Sequence, residues 1–161
     1  MMRHVLKGGL TVLTALLVFA ALRQISAPLV IGVNIFAVAV IVYAAHEGEV
    51  AGALVGAVCG LIVDVFSLGL FGLTGLAKTV TGYLAGYFSR KISVLTPGRM
   101  FVFAGALGAL DLGLWILLVV LIAGESVPWS RGWLLAQPVG TAALAAGCVH
   151  ALRRIRIRRE R

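Results

Sequence analysis

The sequence predicts an all-α integral membrane protein, a single bundle of six transmembrane helices with both termini in the cytoplasm. Three observations lead there. Hydrophobic residues make up 61% of the chain and charged residues only 12%, with a mean hydropathy of +1.06. A soluble domain spends about a quarter of its residues on charge to cover its surface, and 14 basic plus six acidic side chains in 161 residues fall well short of that. The apolar residues also fall into six runs of membrane-crossing length, and the basic residues gather on one side of them.

A bilayer core about 30 Å thick needs roughly 20 mostly apolar residues per helix. Polar and Pro/Gly punctuation cuts this chain accordingly. The first span is read at 8–22 and continues past Arg23, whose long stem can snorkel to the interface. Arg3 and Lys7 ahead of an apolar run also suit a signal peptide, but Arg23 and Gln24 precede Pro28 where a small-residue cleavage site belongs, so the segment is read as a retained helix. The remaining spans are read at 29–45, 50–66, 73–88, 100–123 and 133–152, followed by a basic tail at 153–161. All belong to one domain.

Orientation follows from the basic residues, which are retained on the cytoplasmic side. Arg3, Lys7, Arg90, Lys91, Arg99 and six tail arginines fall on one side; Arg23 and Arg131 fall on the other, and Lys78 lies within a span. An odd number of spans would separate the tail from Arg3 and Lys7. Trp129 and Trp133 are expected at the outer interface, Tyr43 and Tyr87 at the inner one.

The third span carries Gly48, Gly52, Gly56, Gly60 and Asp64 at intervals of four, and Gly82 and Gly86 repeat the spacing in the fourth. In lipid, helices associate through close van der Waals contact at small residues. The stripe therefore predicts either tight packing within this chain or a groove for a partner's helix. Asp64 and Lys78 lie at nearly matched depths when counted from the outer ends of their spans, so they could pair. Asp111, near the middle of the fifth span, has no basic residue at its own depth by that count. A charge in hydrocarbon costs about 2.5 to 3.5 kcal/mol on insertion scales. These three charges predict a polar clasp fixing helix register, or else part of a proton or ion path. His4, His46 and His150 all fall near the cytoplasmic face, which leaves such a path discontinuous.

No catalytic constellation is present: no Gly-x-Ser-x-Gly, no phosphate loop with its lysine, no paired cysteine and histidine. The chain is read as a non-enzyme without cofactor. His46, Glu47 and Glu49 are too few for a metal site, and Cys59 and Cys148 are read as small hydrophobes in apolar runs. Arg153, Arg154, Arg156, Arg158 and Arg159 alternate with Ile155 and Ile157, which suits an interfacial segment on anionic lipid headgroups or a plain topology anchor. The tail is short and lacks an aromatic residue for stacking, which argues against nucleic acid.

The stretch GLIVDVFSLGLFGL at 60–73, a glycine- and leucine-rich helix end with Asp64, then a short loop with Gly69 and Gly72, resembles the signature of the rod-shape-determining MreD family. Size, span number and basic cytoplasmic ends agree with that family. The resemblance implies a non-enzymatic inner-membrane subunit of the bacterial elongation machinery, contributing to peptidoglycan synthesis and cell shape. MreC is its implied partner, with MreB, RodA and the elongation-specific penicillin-binding protein further along the complex; Asp64 is the residue carried over from the motif. The family is similar in fold to the S components of energy-coupling-factor (ECF) vitamin transporters, which implies an S-component-like bundle and makes such a transporter the alternative. The alanine-x-x-x-alanine docking motif that S components share is missing from the first span, where Phe19 follows Ala15 and Leu16 precedes Ala20.

Overall fold

The structure is a computed structural model that describes residues 2–25, 34–67, 72–92, 96–123 and 133–159. The described residues form six α-helices and no strand: α1 (Met2–Ile25), α2 (Ile35–Glu47), α3 (Glu49–Ser67), α4 (Leu73–Lys91), α5 (Pro97–Leu118) and α6 (Trp133–Arg159). A π-helical turn, Val119–Ala123, carries α5 onward.

Two stretches, Glu49–Phe66 and Gly98–Ile122, are long and apolar enough to cross a membrane. Only 33% and 17% of their residues are buried inside the protein. A soluble protein would enclose such helices. Here Val50, Leu54 and Val65 of α3 and Val102 and Leu117 of α5 face outward, as do Leu10 and Leu17 of α1 and Val139 of α6. Among the described residues, exposed apolar side chains thus occur on α1, α3, α5 and α6 alike.

The core is built around α2, which touches every other helix. Its sequence suits that place, since every residue from Ile35 to Ala45 is apolar or aromatic and no face is kept for solvent. On one side Ile35, Phe36, Val40 and Tyr43 pack with Ala15 of α1 and Val55 and Cys59 of α3. On the other, Val38, Ile41 and Ala44 pack with Ala85, Met100, Ala104, Leu107, Ala145 and Val149. Tyr43 is therefore buried in the core rather than displayed at an interface, whereas Tyr87 is exposed and stacks on Tyr83. Trp129 lies outside the described residues.

A single residue joins α2 to α3. Gly48 has φ +100°, a left-handed-side conformation that L side chains rarely adopt, and its N–H closes α2 onto the Ala44 carbonyl at 2.9 Å. The flanking glutamates tie this turn to two other helices, Glu47 to Lys7 of α1 at 2.6 Å and Glu49 to Arg90 of α4 at 3.1 Å.

Several boundaries differ from the sequence reading for identifiable reasons. Helix α1 begins at Met2 and runs through Arg23 to Ile25. Helix α2 starts at Ile35, where Asn34 caps it by accepting the Ala37 N–H at 3.0 Å; 29–33 lie outside the described residues. Helix α6 continues to Arg159 instead of yielding to a separate surface segment.

Candidate functional site

Where α2, α4 and α5 meet, the bundle encloses a cluster of polar side chains. Asp111 of α5 accepts from Lys78 Nζ at 2.9 Å and from Asn34 Nδ2 at 3.1 Å, both on Oδ2. Thr81 Oγ1 lies 3.3 Å from Oδ1 and 3.0 Å from the Ala77 carbonyl, so its one proton serves one acceptor at a time. Lys78 is 1% exposed and Asp111 5%. Burial strips both charges of water, and each then depends on the other. Asp111 also faces the N-terminal end of α2, where the helix dipole favours an anion.

This arrangement corrects the pairing of Lys78 with Asp64 that matched depths allowed, because Lys78 reaches Asp111 instead. A count from the other ends takes Leu73 and Ala123 as level, whereas α5 with its π-helical turn is the longer of the two helices and extends past the start of α4. Counted from Lys91 and Pro97, the ends that flank the α4–α5 connection, Lys78 and Asp111 both stand about 20 Å along their helices. Asn34 and Thr81 were missed. Asn34 alone could have been found, as a good N-cap and the one amide inside an otherwise apolar predicted span.

Asp64, 5% exposed, does different work at the far end of α3. Its carboxylate accepts the backbone N–H groups of Gly72 at 2.9 Å, Thr74 at 3.2 Å and Gly75 at 3.1 Å. The first N–H groups of a helix have no partner within it, and the residue at the N-cap of α4, Gly72 with φ +99°, has no side chain to supply one. Asp64 supplies it from the neighbouring helix. Asp64→Ala is expected to destabilise the protein by about 1–2 kcal/mol, the scale of a lost cap, read as a lower midpoint of thermal unfolding in mild detergent. Asp64→Asn, which keeps an acceptor oxygen, should lose less. Residues 68–71 of the 60–73 motif lie outside the described residues.

The glycine stripe is the seam between α3 and α4. A Cβ at Gly52 would stand 2.5 Å from the Gly82 carbonyl oxygen, and one at Gly60 would stand 2.5 Å from Gly75 Cα. At Gly56 it would collide with the Lys78 carbonyl, at Gly82 with that of Gly52, and at Gly86 with the backbone of Gly48 and Glu49. These pairings run in antiparallel register from one end of the hairpin to the other. Helix α4 fills the stripe, so those glycines have no room left for a partner's helix.

Other candidate residues lie apart from this site. His46 Nδ1 is 2.8 Å from the Val42 carbonyl of its own helix, and no group of three His, Cys, Asp or Glu suited to a metal occurs among the described residues. Cys59 is buried, but Cys148 is exposed on α6 instead of enclosed. Arg154 is exposed near the end of α6; for Arg153, Arg156, Arg158 and Arg159 only the helical backbone is described. A comparison with family models finds no match, and searches of curated proteins and of solved structures find none.

Proposed function

We propose that the chain is a non-enzymatic, multi-pass subunit of the bacterial inner membrane, similar to MreD. In this reading it binds MreC and helps couple MreB filaments to peptidoglycan synthesis by RodA and the elongation-specific penicillin-binding protein. Six helices cross the bilayer, with both ends cytoplasmic. The observation that carries the reading is the use made of Asp64, Lys78 and Asp111, each of which fastens one helix to another. Charges within membrane helices otherwise mark relays or substrate paths. Here they make a rigid platform, which is what a subunit that positions other proteins requires.

A docking face is available on the outward side of α4. Leu76, Val80, Tyr83 and Tyr87 are all exposed and recur at intervals of four, three and four, the spacing with which one helix meets another in a coiled coil. The seam ends at Lys91, whose Nζ lies 4.4 Å from the centre of the Tyr87 ring. In this reading it receives the single membrane helix of MreC. Changing Leu76, Val80 and Tyr83 together to alanine is expected to reduce co-purification with MreC at least tenfold, with insertion and thermal stability unchanged. Undiminished co-purification would remove this face from the assignment. The transporter alternative is tested separately by equilibrium binding of a panel of vitamins to the purified protein, where saturable binding would favour it.

A further inference from the structure

On the outer surface, α1 and α3 diverge to leave a groove of about 480 Å³ that none of the α3–α4 packing uses. Gly8, Val12 and Leu16 line it from one side and Ala51, Val55 and Ile62 from the other. Glycine opens its upper end, since a Cβ at Gly9 would meet nothing within 4 Å and the floor beneath Gly8 is the Tyr43 ring. The lining extends from Gly8 to Leu16 on α1 and from Ala51 to Ile62 on α3, about 12 and 16 Å of helix. That is close to half of a hydrocarbon core roughly 30 Å thick. The groove is therefore one leaflet deep.

A lysine stands at its mouth. Lys7, whose side chain is 56% exposed, precedes Gly8 on α1. Lys7 gives one of its three N–H donors to Glu47 and keeps two for another acceptor. A helix crossing the whole bilayer would need an apolar track twice as long, and it would bring no anion to Lys7. An acyl chain ends near the midplane and carries its headgroup at the interface.

We propose that this groove holds one acyl chain of an anionic phospholipid from the leaflet adjoining Lys7, with the lipid phosphate bound by the Lys7 ammonium. The proposal rests on the membrane reading above and is independent of the MreC assignment. Reconstitution into vesicles of equal parts phosphatidylglycerol and phosphatidylcholine, then release in mild detergent and native mass spectrometry, tests it. The wild type should retain one phospholipid per chain, enriched about fivefold for phosphatidylglycerol, the preference expected of one basic residue at the surface. Lys7→Gln should abolish the enrichment. Gly9→Trp, which puts an indole into the open end, should abolish retention, with its unfolding midpoint confirming that the protein still folds.

Equal retention by wild type and Gly9→Trp would overturn the proposal, as would a wild type without headgroup preference. So would a groove closed by a second copy, seen as a dimer without lipid, or by a co-purifying helix cross-linked to position 9. Resistance of the vesicle-bound protein to carbonate extraction is scored in parallel. Its loss would overturn the membrane reading itself, whereas lipid-free but carbonate-resistant protein would overturn the groove assignment alone.

Discussion

Lys78→Met is expected to destabilise the bundle by about 3–5 kcal/mol, the cost of removing one partner from a buried ion pair. The exchange leaves Asp111 enclosed with only the neutral donors Asn34 and Thr81. Those two bonds soften the loss without matching a cation. Asp111→Leu strands Lys78 in the same way, at 1% exposure. Replacing both residues removes the pair together with its desolvation cost, which is often close to neutral. Thermal unfolding in mild detergent should therefore show each single variant falling by roughly 10 °C or more and the double variant recovering most of the difference. Strictly additive losses would mean that the two side chains do not depend on each other.

Gly56→Ala should have the next largest effect. Alanine is normally the better helix former by about 1 kcal/mol, so an exposed glycine changed in this way gains stability. At Gly56 the new methyl would collide with the Lys78 carbonyl, part of the α4 backbone that cannot turn aside as a side chain can. Separating α3 from α4 to accommodate it costs about 1–3 kcal/mol, on the scale of overpacking, and shifts the segment that carries Lys78. Gly113→Ala and Gly147→Ala provide the comparison, since a Cβ at either meets nothing within 4 Å. Unfolding midpoints should fall for the first variant and hold or rise for the other two. If all three behave alike, close contact at the seam is not what the glycines supply.

Features that repeat along one helix were legible in the sequence. Gly52, Gly56 and Gly60 announced a close helix contact because a four-residue interval defines one face, and the apolar runs at 50–66 and 100–123 announced the two stretches long enough to cross a membrane. Features that depend on how helices slide past one another were not. The partner of Lys78 turned on how far α5 extends past the start of α4, and the sequence does not show how two helices of unequal length are aligned. The capping role of Asp64 depended on the path of the α3–α4 connection, which brings Gly72 back beneath the end of α3. Burial of Tyr43 depended on α2 being central, whereas composition alone assigns aromatic residues near helix ends to an interface.

The Lys78–Asp111 contact joins residues 33 positions apart in the chain, and in the proposed topology that separation sets an order of events during synthesis. Lys78 leaves the ribosome first, and at about 5–20 residues per second its counter-ion follows some seconds later. Until then the glycine seam with α3 can form, but the ammonium has no anion beside it, at a cost of about 2.5 to 3.5 kcal/mol if it lies in hydrocarbon. If the helices cross a bilayer as proposed, the α3–α4 hairpin would carry that penalty until α5 arrives, and arrival of Asp111 would relieve it.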